Sequence, residues 1–378
     1  MNFVALRMLT GDRAKYLGLV FAIAFSTFLL ENQTSIFAGI MLRTGNQIAD
    51  VTDAEVWVMD PATKYFDETK PLKDTDLTRV RGVPGVLWAV RMFKGMPVAR
   101  TRDGKFGQCI VLGLDDSTLV GVPRQMVLGS WERLREPESV VIDQGGYSLL
   151  FPGKPLELGG TLEMNDHVVR IVGISVASPG FVSFPIIHTR YTEAVKFQGQ
   201  ERLQMSFVVA RPRLKVTPEE LTQRIAAQTG LRARTADEFR RDCMWYYMEN
   251  TGIPANFGIT ISIALIVGTV VVGQTFYLFT VENLKQFGAL KAIGVTNWRL
   301  VGMILLQAVT VGFVGFAIGT GLAALFFDFI SKQAATRGLV LLWETVAITA
   351  GCVFFVVIVA SVLSIRRVLV LEPAAVFR

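Results

Sequence analysis

The chain has 378 residues, 51% of them hydrophobic and 19% charged, with a mean hydropathy of +0.42 and a formal net charge of +6. This mixture excludes both an ordinary globular domain and a bundle sunk wholly in lipid, and implies a chain that is part membrane and part water-exposed. Three cysteines, Cys109, Cys243 and Cys352, lack metal-ligand spacing, and only His167 and His188 stand beside them.

At the start, Phe3, Leu6 and Leu9 recur at helical spacing beside Arg7, which predicts a short interfacial helix over residues 1–15 on the cytoplasmic side. Residues 16–42 form the first of four runs near the ~20 apolar residues that span a bilayer. Its basic flank (Arg7, Arg13, Lys15), its length and the lack of a small-x-small site favour an uncleaved anchor over a leader peptide. "ENQTS" (Glu31 to Ser35) interrupts the run. Either it marks the outer boundary, with the helix continuing as a stalk, or Glu31 lies inside and faces a cavity or a partner helix.

Residues 43–256 are long enough to bury a core of their own and read as an α+β domain inserted between the first and second spans. Strands are expected at Glu55–Met59, Phe106–Leu114, Ser139–Asp143, Val168–Ser175 and Met205–Ala210. The clearest helix is "TPEELTQRIAAQTG": Thr217 caps, Pro218 takes the first turn, Glu220 completes a capping box and Gly230 stops it. Strand, helix, strand recurs at both ends of the domain. That repeat suggests two units packed as one ferredoxin-like layer, with residues 115–200 as an insertion. "ADEFRRDCMWYYMEN" (Ala236 to Asn250) reads as a helix leading into the second span.

The remaining spans are 257–281, 300–327 and 343–365, joined by a loop at 282–299 and a shorter one at 328–342, with a tail at 366–378. Lysines and arginines concentrate before the first span, in the 282–299 loop (Lys285, Lys291, Arg299) and after the fourth span (Arg366, Arg367, Arg378). The 328–342 loop has only Lys332 and Arg337. Both termini and the 282–299 loop are therefore expected in the cytoplasm and residues 43–256 outside. The basic residues orient the chain and meet anionic lipid, so nucleic acid is not an expected partner. In the third span, Gly315-x-x-x-Gly319 and the overlapping Ala317-x-x-x-Gly321 allow close helix approach. Internal packing and a seam with a second copy both explain them.

No catalytic device is legible. Gly153-Lys154 is followed by Pro155 where a phosphate loop needs Ser or Thr, and neither a His-Glu-x-x-His nor a Gly-x-Ser-x-Gly occurs. Asp115 and Asp116 read as turn residues. The chain is expected to be no enzyme, with no catalytic residue, metal site or cofactor of its own.

The 282–299 loop carries Phe287, Leu290, Ile293 and Trp298 among its charges, which implies that something covers it. "ENLKQFGALKAIG" resembles the signature loop of the MacB/FtsX-like permeases, the membrane subunits of type VII ABC systems, and is most similar to their DevC-type branch. "ALRMLTGDRAKYLGLVFAIAFSTFLL" at the start and "RRVLVLEPAAVFR" at the end point the same way. The resemblance implies that Glu282, Leu284, Lys285, Gln286, Phe287, Gly288, Leu290, Lys291 and Ile293 form a coupling helix docked on a separate ATPase subunit, which holds the ATP and magnesium. Gln286 stands where many family loops have Glu, so that residue's ionic contact does not carry over. Leu284, Phe287, Leu290 and Ile293 step by three and drift around a helix, which suits a short helix touched on both sides.

The resemblance further implies two copies with two ATPase subunits in a bacterial inner membrane, a periplasmic adaptor and an outer-membrane duct, with export of substrate driven by ATP. A lipid or amphiphilic substrate fits. Two alternatives share the same lever: a permease that extracts lipoproteins, and an FtsX-type regulator of a cell-wall hydrolase.

Overall fold

A computed structural model describes residues 2–198, 205–333 and 336–370. Gln200, where the expected insertion ends, and the tail beyond Val370 with Arg378 lie outside the described residues. The elements run α1 (Asn2–Gly11), α2 (Arg13–Arg43), α3 (Asn46–Asp50), β1 (Val56–Met59), α4 (Asp74–Arg81), β2 (Val86–Gly95), β3 (Val98–Thr101), β4 (Phe106–Gln108), β5 (Ile110–Leu114) and β6 (Met126–Gly129). After a 3-10 turn come β7 (Ser139–Asp143), α5 (Gln144–Leu150), β8 (Thr161–Met164), β9 (His167–Ser175), β10 (Ile186–Arg190), α6 (Tyr191–Phe197), β11 (Phe207–Pro212), α7 (Pro218–Thr229), β12 (Arg232–Thr235) and α8 (Ala236–Asn250). The last four helices are α9 (Ile253–Glu282), α10 (Leu284–Ala292), α11 (Asn297–Ser331) and α12 (Trp343–Leu369). The chain divides into two compact units.

The first unit comprises Met1–Gly39, Gly252–Ile330 and Leu339–Arg378. Helices α2, α9, α11 and α12 are each long and apolar enough to cross a membrane. Small residues set their spacing. A side chain at Gly268 of α9 would meet Ser26 of α2, and one at Gly312 of α11 would meet Val357 of α12, so the glycines let the backbones close up. The interior holds Leu19, Ile23, Phe276, Ile304 and Val357. Helix α1 is rotated from the single apolar face expected of it. Ala5 and Leu9 are fully buried while Phe3 stays 69% exposed, and Gln307 Nε2 of α11 donates to the Ala5 carbonyl at 2.8 Å.

The second unit, Ile40–Thr251 with Ser331–Gly338, is built on a 12-stranded sheet. Its first four strands lie in the order β12-β1-β11-β2, every neighbour antiparallel, which is the ferredoxin-like layer. Strand β5 pairs with β2 and carries the sheet on through β10, β7, β9, β8, β3 and β4. The strands added between β2 and β11 thus begin at Val98, upstream of the expected Asp115. The single strand expected over Phe106–Leu114 is two, because β4 pairs with β3 whereas β5 joins β2 and β10.

Both faces of the layer are covered. Val56 and Val58 of β1 join one apolar cluster with Leu221 and Ile225 of α7; Trp57 and Met59 join another with Phe239 and Cys243 of α8. Trp57 packs against Phe66, Phe207 and Phe239 at ring distances of 5.4 to 6.0 Å. Helix α7 begins where Thr217 Oγ1 accepts from the Glu220 amide at 3.2 Å, but the Glu220 carboxylate pairs with Arg224 at 3.6 Å. The reciprocal capping box belongs instead to Thr235 and Glu238 at the start of α8. Cys109 and Cys243 are free and buried, and burial pushes both thiols up to about 12.

Candidate functional site

The segment after α9 is a short helix flanked by turns. Glu282 ends α9 and pairs with Lys15 at 2.7 Å. Asn283 turns the chain by donating its side-chain amide to the Phe279 carbonyl at 2.7 Å. Helix α10 follows and stops at Gly294, whose φ of +94° suits glycine; the Val295 amide then reaches back to the Leu290 carbonyl at 3.1 Å.

Four apolar residues at a step of three are presented differently. Phe287 is fully buried among the helices of its own unit, Gly288 is buried on the same helix, and Leu284 and Leu290 are half-buried. Ile293 is 81% exposed. The Phe287 ring packs into the interior of its own unit and seats α10. Lys285 and Gln286 are exposed. Lys291 Nζ donates to the Leu369 carbonyl at 3.0 Å, a cation at the negative end of α12. Trp298, absent from the expected coupling set, is 85% exposed in the first turn of α11. Its position in an amphipathic loop was the one available signal.

The small residues of α11 fall on two sides of the helix. A side chain at Gly315 would strike Ile23, and one at Gly319 would meet the Ala24 carbonyl oxygen and Thr27 Cβ, each at 2.6 Å. Those two glycines are packed against α2 of the same chain. Ala317 and Gly321 are exposed on another side of α11, and nothing lies within 4 Å of a side chain added at Gly321.

In the second unit, Asp115 accepts from the Ser117 hydroxyl at 2.6 Å and the Thr118 amide at 3.2 Å, closing a turn. Burial alone would raise its carboxyl, but these bonds and Arg91 hold it below the usual range. Asp116 receives the Thr192 amide and hydroxyl at the start of α6. No group of three or more His, Cys, Asp or Glu that could hold a metal ion occurs among the described residues. Sequence reading missed Asp67, which binds buried Lys94 and accepts from the Tyr247 hydroxyl at 3.1 Å, and Asp143, which binds Arg337.

Four helices long and apolar enough to cross a membrane, a short seated helix between the second and third, and a folded α/β unit describe a membrane protein with a large folded domain. Residues 16–228 match the family model of the MacB-like periplasmic core domain, and residues 258–373 match that of the FtsX-like permease C-terminal region. The chain belongs to the MacB/FtsX-like family of ABC transporter permeases. An uncharacterised ABC transporter permease of Mycobacterium tuberculosis is 24% identical over 399 residues, covering 100% of this chain and 99% of that one. One from Mycobacterium bovis is 25% identical over 363 residues, covering 95% and 93%. Among solved structures, the periplasmic region of MacB from Actinobacillus actinomycetemcomitans matches at 13% identity and a TM-score of 0.38, covering 54% of this chain and 96% of that one. The extracellular domain of the transporter YknZ from Gram-positive bacteria matches at 15% and 0.34, covering 48% and 98%. A permease of this family is a non-catalytic membrane subunit and works with an ABC ATPase.

Proposed function

We propose that this permease passes the ATP-driven motion of its ATPase to the α/β unit, which lies outside the cytoplasmic membrane, and that it does so in an exporter of the DevC type. Two copies pair with two ATPase subunits, and the α/β unit receives a periplasmic adaptor that leads to an outer-membrane duct. Both termini and α10 are cytoplasmic, a reading supported by the basic residues around them.

The observation that carries the reading is the division of labour in the coupling segment. Phe287 roots α10 in its own unit, while Ile293 and Trp298 are exposed at 81% and 85%. Exposed apolar residues just past a short, firmly seated helix, Ile293 at its end and Trp298 in the first turn of α11, suit a surface that another protein covers, and tryptophan is a favoured anchor in such interfaces. A rooted helix also transmits force to the long helices, which a floppy loop would not.

The test is co-purification of the ATPase with Trp298→Ala and Ile293→Ser. Both variants should fold normally and weaken ATPase association, each by about 2 kcal/mol or more. Phe287→Ala should instead lower the stability of the permease itself. Full ATPase association by a Trp298→Ala, Ile293→Ser double variant would refute the assignment.

A further inference from the structure

The short connection between α11 and α12 contributes a residue to the core of the α/β unit. Arg337 reaches Asp143, whose side chain is completely buried at the end of β7. Asp143 is already occupied as the cap of α5: Oδ2 accepts from the Gly146 amide at 2.9 Å and Oδ1 from the Ile186 amide at 2.6 Å. One carboxylate thereby holds a helix start, the neighbouring strand β10 and an arginine from a distant part of the chain. Arg43 donates to the backbone carbonyl of Arg337 from the other side.

The slot is shaped by glycines. A side chain at Gly145 would overlap the Arg337 guanidinium and displace it from its present position. Gly338 turns at φ +77°, and a side chain on it would meet Pro179 at 2.8 Å. Among the described residues, Arg337 Nε and Nη2 and Arg43 Nε are buried without hydrogen-bond partners. A guanidinium has five donors, and leaving two nitrogens unmatched indicates a fit that is good but not maximal. A cavity of about 500 Å³ borders the slot, lined by Asp143, Ser148 and Arg337 among others, and gives the side chain room to withdraw.

We propose that Arg337 is a releasable pin that fastens the α11–α12 connection to the α/β unit, so that movement of those two helices is delivered to β7, α5 and β10 through Asp143. The pin deepens the transducer reading above and rests on it for its functional part. It adds a second line of force beside the direct continuation of α2 into Arg43.

The experiment uses the full chain with its ATPase and reads hydrogen exchange at Gly146, Ile186 and residues 336–338. Asp143 is left intact, because its loss would also uncap α5. Arg337→Met and Gly145→Val remove the pin from opposite sides. In both, exchange at 336–338 should rise about tenfold or more while the rest of the sheet keeps its protection. Adding a non-hydrolysable ATP analogue with magnesium should then change exchange at Gly146 and Ile186 in the wild type and much less in either variant. Unchanged protection of 336–338 in both variants would overturn the pin. So would a full nucleotide response in variants whose 336–338 segment is released. A wild type with normal protection but no nucleotide response would sink the transducer reading, and the delivery role with it, while the fastening itself would stand.

Discussion

Thr320 of α11 donates its hydroxyl to Glu31 Oε1 of α2 at 2.7 Å, and Glu31 has no exposed surface. The carboxylate that interrupts the first apolar run therefore faces a partner helix within the chain, one turn along α2 from Thr27, which meets Gly319. Glu31→Gln keeps an oxygen that accepts from Thr320 and should leave thermal stability in detergent nearly unchanged. Glu31→Ala removes the acceptor and leaves a void, which should cost on the order of 1 to 3 kcal/mol. Equal melting of the two variants would show that the hydrogen bond contributes nothing.

Gly319 and Gly321 should answer differently to the same substitution. Gly319→Leu drives a side chain into Ala24 and Thr27, so the variant should express poorly or lose roughly 1 to 3 kcal/mol or more. Gly321→Leu meets open space and should fold like the wild type. Cross-linking of detergent-solubilised protein adds a second readout: a folded Gly321→Leu that no longer pairs with another copy would locate a dimer seam on the Ala317 and Gly321 side.

Buried His188 on β10 should make the stability of the α/β unit depend on pH. Burial holds its imidazole down at about 4, against an ordinary value of 6.5. Its folded value is depressed, so the contribution is fully present above 6.5 and is lost as pH falls toward 4. A shift of that size corresponds to something on the order of 3 kcal/mol. Melting of the full chain should drop between about pH 7.5 and about pH 5, and His188→Leu should shrink that drop. An identical pH profile for the variant would overturn the assignment to His188.

Orientation can be tested in a background without native cysteines. Lys154→Cys should react with a membrane-impermeant maleimide added to intact spheroplasts, and Lys291→Cys should react only after the membrane is opened. Lys154 pairs with Asp103 at an exposed site, so its replacement leaves the fold alone. Labelling of Lys291→Cys in intact spheroplasts would reverse the proposed orientation.

What was legible in the sequence was local. The four apolar runs, the Thr217 cap and the turn at Asp115 each depend on residues a few positions apart, and each is visible in a short window. The ferredoxin-like repeat was legible as a pattern of strand and helix, although it took the pairing of β1 with both β11 and β12 to close it. What was not legible depends on partners far along the chain. A run of glycines says that a backbone comes close but not whose, and Gly315 and Gly319 turned out to serve α2. An aromatic ring on a short helix faces inward or outward by a rotation that spacing does not record, and Phe287 faces inward. Arg337 looked like one of two basic loop residues, because nothing near it announces Asp143.

The placement of β1 has a consequence for how the protein is made. Val56 pairs with Ala210 on one side and Thr235 on the other, so both neighbours of this apolar strand are synthesised long after it. Until they emerge, Val56, Trp57, Val58 and Met59 present two open edges, and such distant pairings form slowly and expose chains to aggregation. A ribosome that stalls, or a gene that is cut, anywhere before Arg232 therefore leaves a membrane-anchored strand that has no correct partner. Quality-control proteases at the membrane surface would find their substrate there, at the beginning of the domain, although the missing residues belong to its end.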